Sequence, residues 1–433
     1  MISKIISSLN SEENRIHKNS LYLFFNSIAG SFFGFIFWII VARLYSSRDI
    51  GYATAIFSSL MVISIISKVG LDISVIKYYS SSPNKIKLIN MCLTVVTLVS
   101  SVITILFLSF ISIFMPVLSF VRNDIILCFL VIALSVSFSL LMISINIFIA
   151  GKKAKYSSII YVLSSILKIP FVFILVNLKL YGLLLSWGLG IIITLYLTIQ
   201  KYFPSLLNTY KFYFVVDSNL IKRTLKYSLG NYLSNIFEYI PVFAFPLLIL
   251  HTLTPNDNAY FYISWMIGEI LCNSSVAANF SLFAENSIET NTLKKNIFKS
   301  IKFNLLLLIP MITLIIIFSG PILTIFGEEY ARNSSLLQII AVSSIPLAIN
   351  KLYITIKRIE SKISSVINIQ FIILLISITL SYIFIEKNGL IGIGYGWLGA
   401  QLIVSGFTLP KIVKILSRYE MSKKSEIIPS PMD

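Results

Sequence analysis

Lys168 lies inside an apolar run, about 12 residues past the run's basic end, or roughly 18 Å along a helix at 1.5 Å per residue. That depth is beyond easy snorkelling to either surface. A charge at the centre of a membrane helix costs roughly 2.5–3.5 kcal/mol on insertion scales, so one that persists faces a cavity or a partner. Ser157, Tyr161, Ser164 and Lys168 follow i, i+4, i+7, i+11 spacing and share one helix face, and Pro170 predicts a kink just beyond. Two readings are open. Lys168 is a cationic point in a wet cavity that attracts an anionic group, or it is paired with a carboxylate on a neighbouring helix.

Carboxylates of that kind exist in the second half of the chain. Asn231, Asn235 and Glu238 stand at i, i+4, i+7, followed by Pro241 and Pro246, and Trp265, Glu269 and Asn273 repeat the pattern at i, i+4, i+8. Glu238 and Glu269 could bind a proton or Na+, or could pair with Lys168. Lys68 and Asp72, at i, i+4, are expected to pair near the basic interface, as a gate or as a structural pair. Arg43 ends the first apolar run and is either a charge at a cavity mouth or an interface anchor. Asn146, Asn279, Asn304, Asn350, Asn368 and Gln370 are expected to form interhelical hydrogen bonds. Gly30 and Gly34 predict close helix approach in the first run, and Gly389, Gly392, Gly394, Gly396 and Gly399 predict tight packing or a flexible start to the last.

The elements that position these side chains follow from composition. The 433 residues are 57% hydrophobic and 12% charged, with mean hydropathy +0.88, against roughly 25% charged for soluble domains. Apolar runs of about the 20 residues needed to span a bilayer cover 20–42, 51–76, 88–115, 123–149, 157–177, 181–200, 224–250, 258–283, 300–319, 333–356, 364–385 and 390–413. The fold expected is an all-α integral membrane protein with twelve transmembrane helices in two parallel-repeat six-helix bundles around a central cavity. With an even count and an N-terminus in the cytoplasm, 28 of the 35 lysines and arginines fall on the cytoplasmic side. Both termini are then cytoplasmic, in a multi-pass protein of the plasma membrane. The boundaries expected are a cytoplasmic segment 1–19, a first bundle 20–200, a cytoplasmic linker 201–223, a second bundle 224–413 and a basic tail 414–433.

Several functions are excluded or disfavoured. The net charge of +17 comes in short clusters between apolar runs, not in one patch, so nucleic acid is not an expected partner. Cys92, Cys128 and Cys272 are far apart in apolar runs, and neither a disulfide framework nor a metal site is indicated. There is no GxxxxGK[ST] and no long outer loop carrying clustered Asp, Arg or His. An enzyme is not expected, no catalytic residue is assigned, and the only cofactor-like species considered is a coupling H+ or Na+.

The halves resemble each other. Displaced by 208 residues, the stretch 18–57 matches 226–265 at Lys18, Ser20, Leu21, Ile28, Phe35, Phe37, Asp49 and Tyr52, and Leu180, Gly182 and Trp187 match Leu390, Gly392 and Trp397 at nearly the same spacing. Gly30 aligns with Glu238 and Arg43 with His251, so the scaffold is repeated and its polar equipment is not.

Arg43-Leu44-Tyr45 to Asp49-Ile50-Gly51-Tyr52-Ala53 after the first run, Ala150-Gly151-Lys152 to Tyr156 between the fourth and fifth, and a Leu-x-Gly before the sixth and twelfth are local features of a known family. With its length and two six-helix halves, the chain resembles the multidrug/oligosaccharidyl-lipid/polysaccharide (MOP) exporter superfamily, within it the polysaccharide-synthesis branch of Wzx-type flippases. The resemblance implies alternating access of two bundles and transport of an oligosaccharide on polyprenyl diphosphate to the outer leaflet. It implies a lipid-linked oligosaccharide and the bilayer as partners, with a glycan polymerase or glycosyltransferases of the same pathway. It would put Lys168 and Arg43, with Tyr161, Ser164, Asn231 and Asn235, around the substrate. An ion-coupled drug/cation antiporter using Glu238 or Glu269 is the alternative within the superfamily.

Overall fold

A computed structural model describes residues 30, 32–286 and 293–427, with side chains at 114, 219–220, 223–227, 273–286, 293–296 and 418–427 set aside. Among the described residues there is no strand. The helices are α1 (Phe32–Leu44), α2 (Ser47–Ser67), α3 (Leu71–Tyr78), α4 (Lys85–Phe114), α5 (Ile125–Ala150), α6 (Ala154–Ile174) and α7 (Lys179–Leu197). They continue with α8 (Ser218–Thr252), α9 (Pro255–Asn286), α10 (Leu293–Thr324), α11 (Ser334–Ile359), α12 (Ile363–Asn388) and α13 (Ile391–Ile427). Ten helical spans are long and apolar enough to cross a membrane. The other two crossings are α1, described over a shorter stretch, and α9, whose first turns are polar. The chain is thus an all-α integral membrane protein with twelve transmembrane crossings. The described residues up to Tyr239 with Thr254–Ala259 form one compact unit, and Ile240–Leu253 with the described residues from Tyr260 on form a second.

The run expected as one helix over 51–76 is two. α2 stops at Ser67, Val69 (φ 48) and Gly70 (φ 74) turn left-handed, and α3 starts at Leu71. Gly70 adopts that conformation without a Cβ penalty. The backbone freed by the break is re-satisfied locally: Leu71 N–H donates to Lys68 O at 2.7 Å and Tyr232 Oη of α8 donates to Ile66 O at 2.8 Å. Hydropathy cannot reveal such a break, because the residues on both sides are equally apolar. The proline-containing helices are continuous. α6 continues through Pro170, and α8 through Pro241 and Pro246.

The repeat is written in backbone geometry as well as in residues. Ser46 Oγ accepts from Asp49 N–H at 3.1 Å and donates to Asp49 Oδ2 at 2.6 Å, and 208 residues on Thr254 Oγ1 accepts from Asp257 N–H at 3.3 Å and donates to Asp257 Oδ2 at 2.6 Å. Ser46 and Thr254 are therefore helix caps, and the repeated aspartates are their capping-box partners. α5 and α11 are each 26 residues long and close with the same turn, with Lys153 N–H on Phe148 O and Lys362 N–H on Lys357 O, both at 2.9 Å. The left-handed residue of that turn is Lys152 (φ 56) in one copy and Ser361 (φ 57) in the other. Lys179 (φ 51) and Gly389 (φ 61) also correspond, each where the last helix of its half begins. The first copy lacks the glycine this geometry favours, so Lys179→Gly is expected to stabilise the protein by about 1 kcal/mol, read as a rise in detergent melting temperature.

The matched tryptophans close each half around an aromatic pair. In the first unit Trp187 stacks on Phe57 with centroids 4.5 Å apart, and in the second Trp397 meets Trp265, the counterpart of Phe57, at 5.2 Å. Gly182 and Gly392 are required for close approach: a Cβ would overlap the carbonyl of Leu175 in one copy and that of Phe384 in the other. Gly396 is pressed against Ser381 in the same way, so these terminal glycines serve packing, whereas Gly389 supplies a left-handed turn (φ 61). Of the two glycines in the first run, Gly30 receives the ring of Tyr161, whereas Gly34 has nothing within 4 Å among the described residues.

Gly51 carries a still closer contact within the first unit. A Cβ there would run into the backbone of Pro255, while Asn258 Nδ2 donates to Gly51 O at 2.7 Å and Thr54 Oγ1 at 3.1 Å. Gly51→Ala should cost about 2–3 kcal/mol by overpacking against backbone that cannot yield. Gly34→Ala, in open space on a helix, should be neutral or favourable by up to about 1 kcal/mol. Equal melting temperatures for the two variants would refute the contrast.

Candidate functional site

α1 and α6 run side by side in the same direction in the first unit, touching at three levels. Tyr161 fits the slot at Gly30, Lys168 sits over Phe37, and Tyr45 Oη donates to Val172 O at 3.2 Å. The Lys168 ammonium is 4.3 Å from the Phe37 ring centroid, a cation–π contact. Its backbone is approached by α7 at Gly190, where a Cβ would stand 2.9 Å from Lys168 N. The side chain stays partly accessible, and among the described residues no carboxylate stands beside it. A cation–π contact is worth up to about 2 kcal/mol when desolvated, short of the full cost of a charge at that depth. The amine therefore retains capacity for an anion.

The polar face predicted for α6 is only partly a common surface. Ser157 Oγ turns to α5 and donates to Ile145 O at 3.0 Å, and Ser164 Oγ is used within its own helix, on Tyr161 O at 2.8 Å. Tyr161 and Lys168 are the two that face α1. Arg43 does not join them. It is exposed six residues beyond Phe37, so it projects about 120° away around the α1 axis. Asn231, Asn235 and Glu238 are half-buried on α8, in the turns whose Ser228 and Tyr232 pack against the α2–α3 break, and none pairs with Lys168.

Lys68 and Asp72 do pair, Nζ to Oδ2 at 3.0 Å, with side chains 18% and 12% exposed. The i, i+4 spacing is realised across a break and not along a helix. Asp72 Oδ1 also accepts Ile73 N–H at 3.0 Å, so the carboxylate both neutralises Lys68 and caps the first turn of α3.

In the second unit Glu269 is exposed on α9 and lies with Lys351 of α11 near Cys272, each acting on that thiol electrostatically. Lys351 stands at the end of an apolar run, where nothing in the sequence marks it as a site residue. The side chain of Asn273 lies outside the described residues. Asn350 forms the expected interhelical bonds, with Nδ2 on Gln401 Oε1 at 2.9 Å and Oδ1 accepting from Thr408 at 2.8 Å. Asn146 instead donates to Met142 O of its own helix at 3.0 Å. Asp124, at the N-terminus of α5 and outside the spans, is held below the usual carboxylate range by the Tyr181 hydroxyl and by two backbone N–H groups. Phe37 and Gly190 were invisible as site residues. The match of Phe37 with Phe245 in the repeat was the only signal attached to either.

A duplicated six-helix membrane fold holding one deep cation defines a class of multi-pass membrane protein. No family model and no curated protein matches the chain, but solved structures do. The Lipid II flippase MurJ in an inward closed conformation is similar at TM-score 0.73 and 17% identity, over 93% of this chain and 90% of that one. An inward-facing multidrug resistance MATE family transporter of the MOP superfamily follows at 0.67 and 14%, over 90% and 96%. A MOP superfamily transporter from Pyrococcus furiosus, described as having a binding pocket of reverse polarity, is similar at 0.63 and 14%, over 94% and 96%. The chain has the fold of the MOP superfamily transporters.

Proposed function

We propose that the protein moves an oligosaccharide linked to polyprenyl diphosphate across the cytoplasmic membrane, for cell-surface polysaccharide or glycan synthesis, by alternating access of its two bundles. The observation that carries this reading is Lys168, a membrane-embedded cation held by a ring and two close helices with capacity left for an anion. A diphosphate is the anionic feature common to such carriers, and a lysine binds it as a point charge. The likeness to a flippase of a lipid-linked substrate supports the same reading. The proposed orientation puts both termini and most basic residues in the cytoplasm. Enzymes that assemble or polymerise the same glycan are the proposed partners.

The test is leaflet exchange in liposomes. A fluorescent polyprenyl-diphosphate oligosaccharide should flip at least about tenfold faster with protein than without, a barrier difference of about 1.4 kcal/mol. A lipophilic cation accumulated against a proton gradient, without lipid exchange, would replace the proposal by the antiporter reading, which the MATE likeness favours. If Glu238 or Glu269 carries a coupling ion, Glu238→Gln or Glu269→Gln will abolish the dependence of flux on an imposed H+ or Na+ gradient while leaving melting temperature intact. Unchanged gradient dependence in both variants rules out that route.

A further inference from the structure

The segment between α7 and α8 is more than a tether. After a short helical turn, Phe203–Leu206, residues 210–217 are neither helix nor strand and are pinned along the first turns of α4. Tyr210 packs on Phe203 and its hydroxyl donates to Asn90 Oδ1 at 3.0 Å, while Asn90 Nδ2 donates to Lys211 O at 2.8 Å. Val215 N–H donates to Thr94 Oγ1 at 3.2 Å, and Asp217 pairs with Lys87 at 2.7 Å. Four anchors over eight residues fix a strap whose free side carries Phe212, Phe214 and Val216, 40%, 71% and 60% exposed. Phe212 and Phe214 meet edge to face, with centroids 5.1 Å apart.

Two features say what covers that side. The anchors at 87, 90 and 94 lie about 3–14 Å inside the span that starts at Lys85, the depth of a headgroup and upper acyl layer. The charge around the strap is one-sided: Lys201, Lys211 and Lys222 are exposed, and the sole acidic residue in 201–223, Asp217, is already paired. Clustered aromatics between lysines at interface depth match the chemistry of an anionic lipid surface, rings in the acyl boundary and ammonium groups among the phosphates.

We propose that the 210–217 strap is a lipid-interface anchor, with Phe212 and Phe214 inserted in the leaflet at this end of the bundle and Lys211 and Lys222 binding anionic lipid headgroups. The inference is independent of the transported substrate.

The four native tryptophans, Trp38, Trp187, Trp265 and Trp397, are all buried, so a lipid-facing fifth stands out. Phe214→Trp, at an exposed position, is compared with the parent chain in nanodiscs containing phosphatidylcholine brominated near the carbonyl end. The fraction of emission quenched is expected to rise about twofold, as one lipid-facing indole adds to four shielded ones. Brominated phosphatidylglycerol should quench the new residue about twofold more efficiently than brominated phosphatidylcholine, and Lys211→Gln/Lys222→Gln should remove that excess. Quenching of the new residue by aqueous iodide and not by lipid overturns the proposal, as does shielding from both, which would mean a protein partner. Equal quenching by the two lipids overturns the anionic preference. A parent-like melting temperature for each variant shows that the fold is retained.

Discussion

Lys168→Gln is expected to abolish lipid-linked oligosaccharide exchange, and with it surface glycan, at undiminished protein level. Lys168→Arg should keep part of the activity. The reason lies in the balance at the site. The ammonium has only a ring face and the approach of α7 to hold it, with no carboxylate beside it among the described residues. A charge-assisted contact with phosphate oxygens is about twice as strong as a neutral hydrogen bond, so glutamine loses most of the attraction while keeping a donor. Loss of one charged contact of roughly 1.5–3 kcal/mol lowers the rate about 10- to 100-fold if the contact is made in the rate-limiting state. Stability should move the other way. Removing a partly buried cation with no carboxylate beside it among the described residues relieves a desolvation cost, so Lys168→Met is expected to melt at or above the parent temperature while failing to flip. Inactivity with parent-like or raised stability separates a substrate contact from a packing role. Full activity of the Gln variant would sink the assignment.

Asp72→Ala is expected to be the most destabilising single polar substitution, at about 3 kcal/mol, because it leaves Lys68 mostly buried with no counter-charge. It also removes the acceptor of Ile73 N–H in the first turn of α3, next to a backbone already turned left-handed at Val69 and Gly70. The double variant Lys68→Met/Asp72→Leu should lose less than Asp72→Ala alone, about 1 kcal/mol, since two apolar groups tolerate the site better than one orphaned charge. A double-mutant cycle on detergent melting temperature measures the coupling, and additive losses would show that the pair does not act as a unit. Because α8 meets the break through Tyr232 and Ser228, Tyr232→Phe provides a milder probe, freeing Ile66 O at a cost of about 1 kcal/mol.

Much of the architecture was legible in residue order because a bilayer demands continuous apolar runs and the duplication preserved spacing. Asp49 with Asp257 and Trp187 with Trp397 were visible as matches, and the structure supplies their reasons: capping-box partners of Ser46 and Thr254, and an aromatic contact repeated in each half. Lys168 was legible as a deep charge. Which residue holds it was not, since Phe37 is one of 32 phenylalanines and its match with Phe245 in the repeat says nothing of a contact with Lys168. Arg43 illustrates the opposite failure: a cation near the same helix in sequence that the turn of the helix carries away from the α6 face.

Composition, hydropathy and period thus determined by themselves a duplicated twelve-helix membrane protein with one deep lysine, because those properties are sums over local sequence. Only the tertiary structure decided that the second run breaks at Gly70, that Gly51 and not Gly34 marks a close crossing, and that residues 210–217 are strapped along α4. Each of these depends on which atoms of distant segments come within a few ångströms. Hydropathy averages over such contacts, and helical periodicity describes one helix at a time.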